Sequence, residues 1–345
     1  MFSRDQDGSL LDTDKAIWLQ GRASWLLATL YTEVEARPEW LEWARHGIDF
    51  LRRHGFDDDG RMFFLVDREG RPLRKRRYIF SETFLIAALA AYGRAAGDAE
   101  AIAEALELYQ RVQHHLDTPG VLPPKWETAT RPMRGLAVPM IMTVTAQILR
   151  QALPDPAFCN AAIDRSIGEI RRYHMHPELQ TVLETVGPNG EFLDHFDGRT
   201  LNPGHAIEAA WFILHEARVR GNEPALLQTG LTILDWMWAR GWDAEYGGIT
   251  YFVDVKGLPV QEYWHDMKIL VAAKRDDHRH ADGLSPDRRR KVRALAPADP
   301  RLDPTPISLT RSMASGSAIC TATGAAPRGS RATPTKAPST SRAWN

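Results

Sequence analysis

The chain reads as an all-α protein, an α/α barrel incomplete at both ends with short β-hairpins between helix pairs. Three observations predict this. Apolar residues recur at helical spacing in eight segments that come in pairs. A turn motif returns along the chain: Val66-Asp67-x-x-Gly70-x-Pro72 recurs as Val253-Asp254-x-x-Gly257-x-Pro259, and each copy starts six residues after a glycine, Gly60 or Gly247. Asp5-Gln6-Asp7-Gly8 matches Asp67-Arg68-Glu69-Gly70 at a displacement of 62 residues, and a looser turn, Gly187 to Gly190, falls near twice that interval beyond Gly70. The third observation is eleven tryptophans, enough for an aromatic core or a sugar-binding cleft. Two helices and a turn in each unit of about 60 residues close into a ring, and the hairpins and tryptophans favour the ring over an open α-solenoid.

The pairs are placed as follows. The first helix covers Lys15 to Glu35, with Ile17, Trp18, Trp25, Leu26 and Leu30 on apolar faces, and the second covers Glu39 to His54, stopped by Gly55. A hairpin over Gly60 to Leu73 follows, turning at Asp67 to Gly70. Ser81 to Ala96 with Glu100 to His115, and Arg134 to Gln151 with Pro156 to His174, form the next two pairs. Pro203 to Arg220 and Pro224 to Arg240 form the last, followed by a second hairpin over Gly247 to Val260. The Asp5 turn is expected to lack its first strand, which would precede Met1.

Composition excludes several classes. The hydrophobic share of 43% and the charged share of 25% are those of a soluble globular protein. No apolar run is long enough for a membrane span, and the N-terminus has no apolar signal core. Two cysteines, Cys159 and Cys320, make no disulfide framework, which suits a reducing cytoplasm. The net charge of −1 hides an asymmetry: residues 269–345 hold 14 Lys and Arg against 6 Asp and Glu, a net of +8, which leaves 29 against 38 in 1–268. Between Trp264 and Trp344 there is no Phe, Tyr or Trp. Two domains of different character are therefore expected, 1–268 folded and 269–345 irregular. A basic tail alone would be a disordered segment or a nucleic-acid arm, and nucleic acid is not the partner expected here.

The stretch richest in chemistry is Asn202-Pro203-Gly204-His205-Ala206-Ile207-Glu208. Asn202 caps the helix and Pro203 suits its first position. His205 and Glu208, three residues apart, share one face. The helix dipole favours a neutral imidazole in the first turn, and a neutral imidazole beside a carboxylate is a competent general base. Taken alone, such a pair is more often a structural hydrogen bond. His114-His115 and His174-Met175-His176 lie at helix ends and read as solvated caps, so no metal site is expected; zinc spacings, phosphate loops and Gly-x-Ser-x-Gly are absent.

Four segments carry a family resemblance: Asp14 to Arg22, Phe80-Ser81-Glu82-Thr83-Phe84, Arg134 to Met140, and Asn202 to Ala209, the last being the most specific. Together they resemble the N-acylglucosamine 2-epimerase family, with its related mannose isomerases and cellobiose 2-epimerases. The resemblance covers most of 5–268 and implies an (α/α)6 barrel of six helical hairpins. It also implies the chemistry: a sugar ring is opened and a proton is taken from C2, beside the C1 carbonyl. Return of the proton to the other face of C2 epimerises, and return to C1 isomerises an aldose to a ketose. One histidine on each side of the substrate moves the protons. His205 matches one of them, with Glu208 orienting it. Arg22 matches an arginine near the reacting oxygens, Glu82 is placed against sugar hydroxyls, and Trp18, Trp25 and Trp211 are candidates for stacking on sugar faces. For Glu82 the plainer reading is a salt bridge, and for at least two of the tryptophans it is core packing. The chemistry requires no cofactor, a nucleotide is a candidate effector, and a homodimer a candidate assembly. A mannose-type isomerase and a non-catalytic carbohydrate-binding protein are the alternatives.

After Lys268 the family pattern is expected to stop, and with it the second histidine; Thr340 stands where its codon would be read. With permitted codons, the frame one base later over Leu270 to Arg289 and the frame two bases later over Ser308 to Gly324 can encode the missing pattern. A frameshifted tail and an impaired, poorly folding chain follow as expectations.

Overall fold

Helical pairs set side by side dominate the computed structural model, which describes residues 3–5, 7–75, 78–269 and 319–320. The expectations for the tail otherwise lie outside the described residues. In chain order the elements are β1 (Ser3–Arg4), β2 (Leu10–Asp12), β3 (Lys15–Ala16), α1 (Ile17–Glu33), α2 (Pro38–His54), β4 (Leu65–Val66), β5 (Pro72–Arg74), α3 (Phe80–Ala96) and α4 (Ala99–Asp117). There follow β6 (Arg134–Gly135), α5 (Ala137–Arg150), α6 (Ala157–Glu169), a π-helical turn (Ile170–His174), β7 (Met175–His176), β8 (Thr181–Val182) and β9 (Thr185–Val186). The remainder are α7 (Phe196–Arg199), β10 (Thr200–Leu201), α8 (Pro203–Val219), α9 (Pro224–Gly241), β11 (Val253–Asp254), β12 (Lys268–Ile269) and β13 (Ile319–Cys320).

Packing sorts the long helices into two rows. α1, α3, α5 and α8 touch one another in sequence and form the inner row, while α2, α4, α6 and α9 each lie on their own inner partner. The sequences match these roles. α3 is buried nearly all round, from Ser81 to Gly93, and has a continuous apolar surface. α2 is amphipathic and buries only Ala44, Ile48 and Leu51. Tight joints keep the pairs antiparallel. Gly97 ends α3 in the left-handed conformation at φ 67°, and the Asp98 side chain then caps α4 by accepting from Ala101 N at 3.0 Å.

Three inner helices are introduced in the same way. β3, β6 and β10 lead directly towards α1, α5 and α8, and each pairs antiparallel with a strand that follows the outer helix of its own unit: β3 with β4, β6 with β9, β10 with β11. These pairings gather the N-terminal ends of the inner helices at one mouth. The unit of α3 and α4 is different, because the segment from 118 to 133 contains no strand.

Helix positions follow the periodicity, with corrections at their starts. Lys15–Ala16 and Arg134–Gly135, read as helix, are strands, because two residues paired across the mouth leave no periodic trace. The Asp5 turn has its first strand inside the chain after all: Ser3–Arg4 pairs with Leu10–Asp12 around Gly8 at φ 85°. The end of the sixth segment is π-helical, and His174 at its close is fully buried rather than a solvated cap. Its Nδ1 bonds the Leu183 carbonyl at 2.8 Å, and burial pushes it below the ordinary histidine range. The tail is represented by β13, which pairs with β12.

Candidate active site

His205 stands in the first turn of α8, at the mouth. The cap forms as its residues dictate: the Asn202 side chain accepts from His205 N at 3.1 Å, and Pro203 occupies the first turn. The ring is turned by a residue outside the helix. Nδ1 lies 3.2 and 3.3 Å from the two carboxylate oxygens of Glu184. Among the described residues no hydrogen bond is made by Nε2, and the His205 side chain keeps 38% of its surface exposed.

Glu184 sits between β8 and β9 on a well-held backbone. Its carbonyl accepts from Leu136 N at 2.9 Å, just ahead of α5. Leu183 N bonds the His174 carbonyl at 2.9 Å, and Val182 N reaches the Met237 sulfur at 3.2 Å. Thr185 and Val186 pair with Gly135 and Arg134. Three elements therefore fix the carboxylate independently of α8.

The electrostatics correct the sequence-based reading twice. Burial alone would lower the His205 pKa, but the Glu184 charge and hydrogen bond, aided by Glu208, hold it above the ordinary histidine value. The helix dipole does not win, because two carboxylates lie closer than the helix axis can compensate. Glu184 shows the converse: burial would raise it, yet the His205 charge and bond, then His174 and Lys125, hold it below the usual carboxylate range. The carboxylate bonded to the ring is thus Glu184, whereas Glu208 contributes through its charge.

Glu208 also links the base to a cation. Arg22, on α1, is drawn down to about 10 by burial, and the nearby Glu208 charge works against that fall. Its guanidinium lies 5.4 Å from the centre of the Phe84 ring. Trp18, one turn earlier on α1, packs against the same Phe84 at 5.8 Å between ring centres, with its rim half-buried. Trp25 is core, and Trp211 packs partly against the core beside Phe212. Glu82, in the first turn of α3, is buried. It is 2% exposed, and its Oε1 accepts from Arg61 Nε at 2.8 Å and from Met62 N at 3.0 Å. Burial under the first hairpin makes it the salt bridge of the plainer reading.

Glu184 and Lys125 escape a motif search. Glu184 leaves one trace, a lone charge in the β-branched run Thr181-Val182-Leu183-Glu184-Thr185-Val186. Lys125 lies on the strandless 118–133 segment, its ammonium 4.4 Å from the Trp126 ring centre, and its charge is felt by both His205 and Glu184. Tyr251, held up by burial and the charges of Glu184 and Glu262, adds a hydroxyl nearby. Among the described residues no group of three His, Cys, Asp or Glu side chains is arranged to hold a metal ion. A separate cavity of 190 Å³ lies at the other end of the inner helices, lined by Trp25, Arg94, Gln147, Phe212 and Arg218.

A capped histidine held through Nδ1, with a guanidinium across a shared carboxylate, suits proton transfer next to a carbonyl. The profile of the N-acylglucosamine 2-epimerase (GlcNAc 2-epimerase) family matches residues 2–294. The chain belongs to that family. The match runs past Lys268, beyond the boundary expected there. N-acylglucosamine 2-epimerase of Bos taurus is 35% identical over 266 residues, covering 75% of this chain and 63% of the relative. Its Homo sapiens counterpart is 31% identical over 266 residues, with 75% and 62% covered. The chain therefore spans less than two thirds of the length of these relatives. Among solved structures, cellobiose 2-epimerase from Bacillus thermoamylovorans B4167 aligns with a TM-score of 0.69 at 16% identity, over 84% of this chain and 77% of that one. A D-mannose isomerase aligns with a TM-score of 0.62 at 20% identity, over 78% and 73%. The fold is thus the α/α barrel of these sugar epimerases, and within this family member the inner row is the barrel's lining.

Proposed function

We propose that this family member is a sugar isomerase of the epimerase type, in which His205 moves the C2 proton of an open-chain N-acylglucosamine or N-acylmannosamine. The reading is supported above all by the His205–Glu184 pair, with its Nε2 left open at the mouth. In the opened sugar the C1 carbonyl makes the C2 proton acidic. Nε2 takes that proton, the C2–H electron pair enters the C1–C2 bond, and negative charge builds on O1. Arg22 supplies fixed positive charge for that oxygen, and the new imidazolium is stabilised by Glu184. Returning the proton from the same nitrogen restores the starting sugar, whereas inversion of C2 needs a second group that delivers a proton to the opposite face, the role that the resemblance gives to a second histidine. The carbonyl is the electron sink, so the step needs no redox cofactor. The names of the curated relatives favour an N-acyl sugar.

The test is deuterium incorporation at C2 of N-acetylmannosamine in D2O, followed by proton NMR with inversion read in the same spectra. The chain is expected to incorporate deuterium, and His205→Ala is expected to abolish it while the far-UV circular dichroism is unchanged. Equal incorporation by the chain and by His205→Ala, or none by either, overturns the reading.

A further inference from the structure

We propose that Glu184 is the positioning residue of this site, holding the His205 ring through Nδ1 so that Nε2 is the nitrogen presented to the sugar. The proposal rests on the reading of His205 as the proton-transferring group.

The geometry divides the two carboxylates. Both oxygens of Glu184 lie within 3.3 Å of Nδ1. A carboxylate placed there fixes the ring rotation and, in the neutral ring, keeps the proton on Nδ1 and the lone pair on Nε2. Glu184 can do this because its own backbone is anchored elsewhere, to Leu136 ahead of α5, to Gly135 through Thr185, and to α9 through Met237 beneath Val182. Glu208 rides on the same helix as His205 and moves with it, so it is the poorer clamp. Its charge is shared with Arg22 on α1. Glu184, anchored outside α8, therefore aims the base.

The other charged groups around the pair are named by their place. Glu208 faces it from α8, Lys125 from the 118–133 segment, His174 from the π-helical turn, and Tyr251 from beyond α9. His174 is the most buried of these, and among the described residues its Nε2 has no hydrogen-bond partner. The proton balance is simple. In the forward step the C2 proton passes to Nε2 and the ring becomes imidazolium, with Nδ1–H still donated to Glu184. In the return step Nε2 releases it, and Glu184 remains a carboxylate throughout.

The experiment uses the full chain, 15N-labelled at histidine, with the His205 signals assigned by their loss in His205→Ala. In the parent chain the neutral His205 ring is expected to carry its proton on Nδ1. Glu184→Gln is expected to lower the titration midpoint of His205 and shift its neutral form towards the Nε2–H tautomer. It should also cut kcat for C2 deuterium incorporation by about 10²–10⁴-fold with KM little changed, as loss of an orienting carboxylate does elsewhere. Glu184→Asp should restore part of kcat and the Nδ1–H tautomer. It also serves as the test variant where Glu184→Gln does not fold. Glu208→Gln should leave the tautomer unchanged. The proposal is overturned if Glu184→Gln keeps the parent tautomer and midpoint, or if Glu208→Gln changes the tautomer more. A changed tautomer in Glu184→Gln, with deuterium still incorporated by His205→Ala, supports the role of Glu184 and removes His205 from the chemistry.

Discussion

Two carboxylates meet basic partners at the mouth end of the inner helices, and they behave differently. Glu82 pairs with Arg61 at 2.8 Å, with side chains 2% and 7% exposed. Glu184 pairs with His205 at 3.2 Å, with side chains 20% and 38% exposed. In the first, an always-charged guanidinium is sealed under the first hairpin and locks Met62 and the start of α3 together. In the second, the partner is an imidazole held above its ordinary pKa by the carboxylate charges, and it keeps one nitrogen open. A family motif in the sequence points to Glu82 and passes over Glu184. What separates a staple from the pair proposed to transfer a proton is a partner that can give up its charge and the surface left to it.

The comparison breaks hardest at the sealed pair. Arg61→Met leaves the Glu82 carboxylate buried without its cation and should cost about 3–5 kcal/mol in urea unfolding. A loss below about 1 kcal/mol would mean that Glu82 is not sealed and would return it to the sugar site. Glu184→Gln should cost far less stability, under about 1 kcal/mol for so open a pair, while taking most of the activity. A large unfolding effect there would make Glu184 a staple as well.

The pH dependence sharpens the contrast. His205 has a folded pKa above the usual 6.5, so its share of stability is full below the unfolded value and is lost as pH rises through the folded one. Glu184 has a folded pKa below the usual 4.5, so its share is present above that value and is lost as pH falls through the folded one. The stability gap between parent and Glu184→Gln should therefore be widest between pH 4.5 and 6.5 and close on both sides. A gap that persists flat to alkaline pH would contradict the pairing. The smallest effect belongs to Lys125→Ala. The Lys125 charge holds His205 down, so its removal should raise the His205 midpoint and move the pH profile of deuterium incorporation upwards. No movement, or movement downwards, would place Lys125 outside the site's field.

How far the sequence could be read follows from distance along the chain. The cap at Asn202 and its bond to His205 N were legible because both residues lie within one turn. The glycine turns were legible because positive φ at Gly70 and Gly257 leaves a local signature. Glu184 was not, because 21 residues separate it from His205 and it arrives from another element. The charge of His205 failed for the same reason: the helix dipole is local and can be read, whereas the carboxylate that outweighs it arrives from another element. His174 was misread as a cap because its burial depends on β7 and β9 packing against the π-helical turn and on its bond to Leu183, nine residues on.

The all-round burial of α3 has a consequence for how the barrel opens. Each helical pair closes on sequence-local contacts, so pairs can loosen one at a time while the rest stay folded. α3 is the exception, since α1, α2, α4 and α5 all lean on it. Its amide hydrogens from Leu85 to Ala91 become accessible to water only when several neighbours have parted. They should be the last in the chain to exchange, and the amides of the outer α2 should go well before them.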